Sequence, residues 1–157
     1  MKFEIERKFL VSGMEWKKGL SETDSSFIQQ AYLSVYPEPT VRVRIKDSQA
    51  WLNIKGEQSG FKRAEFEYKI PVKDAIELMK LALPGQVIKR RYEIKYKSKK
   101  WEVDEFFGEN EGLVTAEIEL DREDEDFESP PWITDEISED PRFKNSALAA
   151  KPWKSWK

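Results

Sequence analysis

The chain has 157 residues, with 27 Lys or Arg against 30 Asp or Glu, so 36% of it is charged while the net charge is only −3. Six Trp, five Tyr and nine Phe argue against disorder, and the length suits one domain, taken as residues 1–157, with a core of its own. There is no Cys and no His, which excludes a disulfide framework, a cysteine nucleophile, a Cys-type zinc site, a Ser-His-Asp triad and a histidine base. An enzyme of this composition works with carboxylates, Lys, Arg, Tyr, or a metal held by oxygens.

From Met1 to Lys8 no apolar stretch of signal-peptide length occurs, and no apolar run in the chain exceeds four residues. A soluble, cytoplasmic protein is expected. Most of the sequence then alternates with period two, the signal of strands. Eight strands are predicted, over 3–11, 27–36, 40–47, 50–57, 62–71, 86–98, 100–107 and 114–121. Pro37-Glu38-Pro39, Ser59-Gly60 and Ser98-Lys99 read as hairpin turns, so neighbours are antiparallel. A short helix is predicted at Gly13 to Lys18 around Trp16. A longer one starts at Asp74 as N-cap, with Glu77 completing a capping box, and stops at Pro84-Gly85. After the acidic run from Asp121 to Glu128, a short helix is predicted from Ser129-Pro130-Pro131-Trp132 and another from Pro141 through Ala150. The tail from Lys151 to Lys157 is basic and aromatic, with Trp153 and Trp156 expected to pack on the barrel.

Residues two apart in a strand share a face. On that rule Glu4, Glu6 and Lys8 lie opposite Phe3, Ile5 and Phe9, and Arg42, Arg44 and Lys46 lie opposite Val41, Val43 and Ile45. Lys55, then Glu65 and Glu67, then Lys89 and Arg91, then Glu102 and Asp104, then Glu117 and Glu119 repeat the pattern. Gln30, Tyr32 and Ser34 form a further polar face. For one strand, a solvent face explains this. Across eight strands the polar faces are nearly pure charge, and like charges stand two apart. Paired carboxylates call for divalent cations and paired bases for a polyanion. Both follow if the sheet closes into a barrel with its charged face inward and its apolar face outward under the helices and Trp-rich segments.

Glu4-Ile5-Glu6-Arg7-Lys8 is an ExExK motif, weak by itself. It is followed in order by Gln30-Ala31-Tyr32-Leu33, Val41-Arg42-Val43-Arg44, Asn53-Ile54-Lys55-Gly56, Glu65-Phe66-Glu67, Lys89-Arg90-Arg91-Tyr92, Trp101-Glu102-Val103-Asp104, Ala116-Glu117-Ile118-Glu119-Leu120 and Asp140-Pro141-Arg142-Phe143. Over essentially the whole chain this resembles the CYTH superfamily, the triphosphate tunnel metalloenzymes, in its compact bacterial branch. Phe143 stands where that family often has Tyr.

The resemblance implies an eight-stranded antiparallel β-tunnel, mostly β with a few helices, acting on triphosphates with Mg²⁺ or Mn²⁺, two ions being expected. It implies a triphosphate cradle of Lys8, Arg42, Arg44, Lys55, Lys89 and Arg91. It implies metal carboxylates at Glu4, Glu6, Asp104, Glu117 and Glu119, with Glu65 and Glu67 completing a second ion site or holding the bases. Glu117 or Glu119 is expected to take a proton from water, and Lys8 and Tyr32 join the catalytic set. Hydrolysis of inorganic triphosphate is the expected activity. Hydrolysis of ATP or thiamine triphosphate, cyclisation of ATP, and triphosphate binding without turnover are the alternatives. The expected partner is a small-molecule triphosphate, with neither nucleic acid nor membrane involved.

Overall fold

Alternation along Lys2–Val11 (β1) decides the architecture, because it gives one strand a charged face and an apolar face. The structure is a computed structural model and describes residues 1–156. Seven further strands continue the barrel: Ser25–Ser34 (β2), Thr40–Lys46 (β3), Gln49–Lys55 (β4), Lys62–Ile70 (β5), Val87–Tyr96 (β6), Lys99–Phe107 (β7) and Val114–Glu119 (β8). They run in the order β5-β4-β3-β2-β6-β7-β8-β1, and antiparallel pairing of β1 with β5 closes the barrel. Closure leaves no open edge along the pairing.

The turns follow backbone requirements. Lys97 and Ser98 both have positive φ, so they form the two-residue turn between β6 and β7, and Lys99 already belongs to β7. Asp47, also at positive φ, turns β3 into β4.

The apolar face points outward and is covered. Trp16 anchors a single helical turn at Glu15–Lys17 and packs edge-on to Tyr92, with ring centroids 5.3 Å apart. Phe127 and Trp132 lie against Trp101, at 5.6 and 6.3 Å. Helix α1 (Val72–Lys80) seats the buried Ala75 beside Val43 and Ala50. Pro71 occupies its N-cap and Asp74 lies in its first turn, so the predicted Asp74 cap is displaced by three residues. Pro suits a helix start because the lost N–H has no helical partner there.

Two predictions at the C-terminal end are corrected. The helix expected from Ser129 is absent, and Ile133–Glu136 instead forms a ninth strand, β9. β1 pairs with β5 only over Lys2 to Ile5, which leaves its edge free near Val11, and β9 takes that edge through Phe9↔Glu136 and Val11↔Ile133. The helix expected from Pro141 through Ala150 is broken at Lys144 into one turn (Pro141–Phe143) and α2 (Asn145–Ala150).

This segment does not cover the outer wall. Phe143 and Leu148 pack with Tyr32, Val87, Phe106 and Leu10, which share strand faces with the charged residues. The lumen is therefore plugged at one end by apolar side chains. Trp153 packs tilted and Trp156 edge-on against Phe143, with ring centroids 6.1 and 5.0 Å away. Lys157, the end of the predicted basic tail, lies outside the described residues.

Candidate active site

Closure brings the polar faces of all eight barrel strands around one cavity of about 240 Å³. Every site residue read from the sequence lines it except Asp104. The two signs of charge are not mixed evenly. Arg42 and Arg44 on β3, Lys55 on β4, and Lys89 and Arg91 on β6 make a basic wall, while Glu4 and Glu6 on β1, Glu102 on β7, and Glu117 and Glu119 on β8 make an acidic one.

Asp104 lies behind the basic wall and is 1% exposed. Arg91 reaches it in a fork, Nε to Oδ1 at 2.7 Å and Nη2 to Oδ2 at 2.8 Å, and Lys89 Nζ donates to Oδ2 at 2.7 Å. Burial works to raise its pKa, but Arg91 and Lys89 overcome it and hold the carboxyl below its ordinary range. Burial pulls Lys89 down to about 7, with Arg91 adding to the effect against the attraction of Asp104.

The remaining bases divide into two kinds. Lys8 lies 3.5 Å from Glu117, and Lys55 lies 3.2 Å from Glu4 and 3.4 Å from Glu65. Lys2 does the same work for Glu65 and Glu67, at 3.5 and 4.0 Å. Arg42 and Arg44 form no ion pair with any described carboxylate, Arg42 donating only to Asn53 Oδ1 at 3.3 Å. The Arg44 Nε is buried with no hydrogen-bond partner. Burial, then Arg42 and Arg91, lower its pKa to about 10. A buried, unpartnered guanidinium N–H is costly, and an anion entering the cavity is what would satisfy it.

The acidic wall carries the converse strain. Glu6 stands directly opposite Glu119, and Glu102 opposite Glu117, on paired strands. Like charges in that relation destabilise a sheet. Burial, then Glu117 and Glu4, push the Glu6 carboxyl well above its ordinary pKa. Glu117 goes the other way, since Lys8, Arg91 and Lys89 outweigh its burial. Among the described residues no three acidic groups already stand at cation-site spacing. The donor chemistry nonetheless fits a hard divalent ion, being all oxygen, and Glu6 and Glu119 form no ion pair among the described residues.

The Tyr32 ring packs in the plug, and its hydroxyl has no protein hydrogen bond among the described residues. Phe143 serves through its backbone, its carbonyl accepting from Lys8 Nζ at 3.2 Å. Residues missed in the sequence also line the cavity, among them Lys2, Thr40, Arg63 and Lys144. Lys2, Thr40 and Arg63 have the same parity as Glu4, Arg42 and Glu65, so extending the alternation by one step finds them. Lys144 lies in no strand, and no periodic signal marks it.

The family model of the CYTH domain matches residues 2–147. An inorganic triphosphatase of Acetivibrio thermocellus is 43% identical over 155 residues, 98% of this chain and 97% of that protein. An inorganic triphosphatase of Nitrosomonas europaea is 35% identical over 152 residues, covering 93% and 96%. A crystal structure of an inorganic triphosphatase superposes with a TM-score of 0.69 at 33% identity, over 95% of each chain. A putative adenylate cyclase from Bacillus halodurans shares the fold alone, with a TM-score of 0.58 at 19% identity over 78% and 84% of the two chains.

Proposed function

The chain belongs to the CYTH family, and from that premise we propose that it hydrolyses inorganic triphosphate to pyrophosphate and orthophosphate with divalent metal ions. The observation that carries this reading is the unpaired Arg42 and Arg44 facing a wall of crowded carboxylates across one cavity. A linear triphosphate bridged to cations satisfies both walls together. Its relatives of 43% and 35% identity are inorganic triphosphatases, which favours that substrate over ATP or thiamine triphosphate.

In this reading Arg42, Arg44, Lys55, Lys8, Lys89 and Arg91 bind the phosphate oxygens. Glu4, Glu6, Glu117 and Glu119, with Glu65 and Glu67, hold two Mg²⁺ or Mn²⁺ ions. Bound there, such ions offset phosphate charge and lower the pKa of a water. Asp104 is assigned a different task from the one read in the sequence. With both oxygens engaged by Arg91 and Lys89, it aims those two bases at the substrate. Phosphoryl transfer rests mainly on positioning and charge stabilisation, which fixed bases supply.

The proton of the attacking water goes to Glu117 or Glu119. Burial raises the Glu119 pKa, while Lys8, Arg91 and Lys89 lower that of Glu117 against its burial. Lys89, at about 7, is the one cationic competitor for this role. A pH–rate profile separates them. A carboxylate base gives an acidic limb well below neutrality, and a Lys89 base gives one near 7 that vanishes in Lys89→Gln.

The activity is tested by a product assay on triphosphate, ATP and thiamine triphosphate, with and without each metal. Metal-dependent release of equal orthophosphate and pyrophosphate from triphosphate is expected. Cyclic AMP from ATP, or binding without turnover, would replace this function with another.

A further inference from the structure

The bases lining the cavity on the C-terminal side include two that the cradle described above does not use. Arg63, on β5, is fixed by donating from Nε to the Gly56 carbonyl at 2.7 Å and from Nη2 to Thr40 Oγ1 at 3.0 Å. Both acceptors are neutral, so these bonds orient its charge without an ion pair, and Glu4 and Glu38 act on it only from beyond contact. Lys144 follows Phe143, whose carbonyl is bound by Lys8 Nζ, and it enters the same cavity from the C-terminal segment. Neither Arg63 nor Lys144 forms an ion pair within 4.0 Å among the described residues, although Lys2, Lys8, Lys55, Lys89 and Arg91 all do. Glu4, directly opposite Arg63 in the sheet, is engaged by Lys55 instead.

Two half-buried cations from different parts of the chain thus face one cavity with no carboxylate within ion-pair distance of either. Burial and the Arg63 charge draw the Lys144 ammonium below its ordinary pKa, and Glu38 only partly opposes this. The polar groups near them, Thr40 and Ser146, line the cavity too and add neutral hydroxyls. A guanidinium fork, an ammonium and hydroxyls are the donors that recognise a phosphate.

Resting on the triphosphatase reading, we propose that Arg63 and Lys144 form a separate subsite for a terminal phosphate of the substrate. Because Lys144 belongs to the C-terminal segment and Arg63 to the barrel wall, the bound phosphate also fastens the plug to the barrel. The substrate then completes the closure of its own cavity, and a chain lacking a phosphate at that end gains nothing from the subsite.

Steady-state hydrolysis of triphosphate is compared in the wild type, Arg63→Gln, Lys144→Gln, Lys144→Arg and the control Lys151→Gln. Lys151 is exposed on the same segment. Loss of a charged phosphate contact raises KM about tenfold or more. Arg63→Gln and Lys144→Gln are expected to show that rise, Lys144→Arg to recover most of it, and Lys151→Gln to behave as wild type. Amide hydrogen exchange of residues 144–151, with triphosphate kept saturating, is expected to slow in the wild type and not in Lys144→Gln. Wild-type KM in Lys144→Gln with unchanged protection of the segment overturns the subsite, while the triphosphatase reading stands if the wild type turns over. Absence of triphosphate turnover and binding in the wild type overturns both. Lys144→Gln alters a loop residue outside the core, so its result decides the matter even if Arg63→Gln fails to fold.

Discussion

Arg91 and Asp104 face each other from paired positions on β6 and β7 and are joined by two hydrogen bonds, at 2.7 and 2.8 Å, in a site where Asp104 is 1% exposed. Lys89 shares the same carboxylate. Asp104→Asn keeps the shape and removes the charge that both cations depend on. Breaking a buried pair in this way costs about 3–5 kcal/mol. Denaturant titration of the metal-free protein checks the loss, which triphosphate is expected to reverse in part. A change confined to metal affinity, with stability intact, would return Asp104 to the metal-holding set.

Arg44 makes the opposite case. Its charge is buried beside Arg42 and Arg91 with its Nε unpartnered, and its pKa falls to about 10. Arg44→Met is therefore expected to stabilise the ligand-free protein by the order of 1 kcal/mol, read as a rise in its thermal midpoint, while raising KM for triphosphate. A variant less stable and unchanged in KM would place Arg44 among structural residues.

Glu117 is held at 3.5 Å from Lys8 and 3.9 Å from Arg91, opposite Glu102 in the sheet. Glu117→Gln keeps its size and removes its charge. Turnover is expected to fall about 100-fold or more, with a smaller change in KM, because a metal ion held one carboxylate short would offset less of the charge that develops in the transition state. Near wild-type turnover at saturating metal and substrate counts against its assignment.

Triphosphate itself tests the polarity of the barrel. A ligand that binds only the folded protein at about 100 times its Kd adds about 2.7 kcal/mol. At roughly 2–4 °C per kcal/mol for a chain near this length, the midpoint should rise several degrees. Glu117→Gln keeps the ligand intact during the scan. Orthophosphate, which cannot span both walls, should give a smaller shift.

Away from the cavity, Arg7 ties β1 to β9 by donating from Nε to Glu136 Oε2 at 2.8 Å. That hydrogen bond lowers the Glu136 pKa against a burial effect that raises it. A depressed carboxyl contributes stability above its unfolded value and loses it as the pH falls through the folded one. Arg7→Ala should thus lower the midpoint at neutral pH, and the difference from wild type should shrink toward strongly acidic pH. A pH-independent difference would mean that Arg7 acts through its packing on Phe61 and Phe127 instead.

Alternation alone places Glu4, Glu6, Lys8, Arg42, Arg44, Lys89 and Arg91 on one side of their strands, because successive side chains in an extended chain must point to opposite faces. The near absence of neutral polar residues on those faces implies that they turn inward. The barrel, its antiparallel neighbours and the identity of the lumen residues are legible on that basis. Alternation cannot say what stands across the lumen. Nothing in Trp101-Glu102-Val103-Asp104 distinguishes a carboxylate that faces the cavity from one locked behind it, because the difference lies in which bases the neighbouring strand β6 brings within 3 Å. Nor could local signals find β9, since Ser129-Pro130-Pro131-Trp132 starts a helix as well as a turn. The free edge of β1 beyond its short pairing with β5 makes the strand, and that edge exists only once the barrel has closed. The plug was hidden for the same reason. Leu10, Val87 and Phe106 share faces with the charged residues, and only the register of the closed sheet gathers them at one end. There the segment around Phe143 and Leu148 buries them, carrying Lys144 and Asn145 into the cavity.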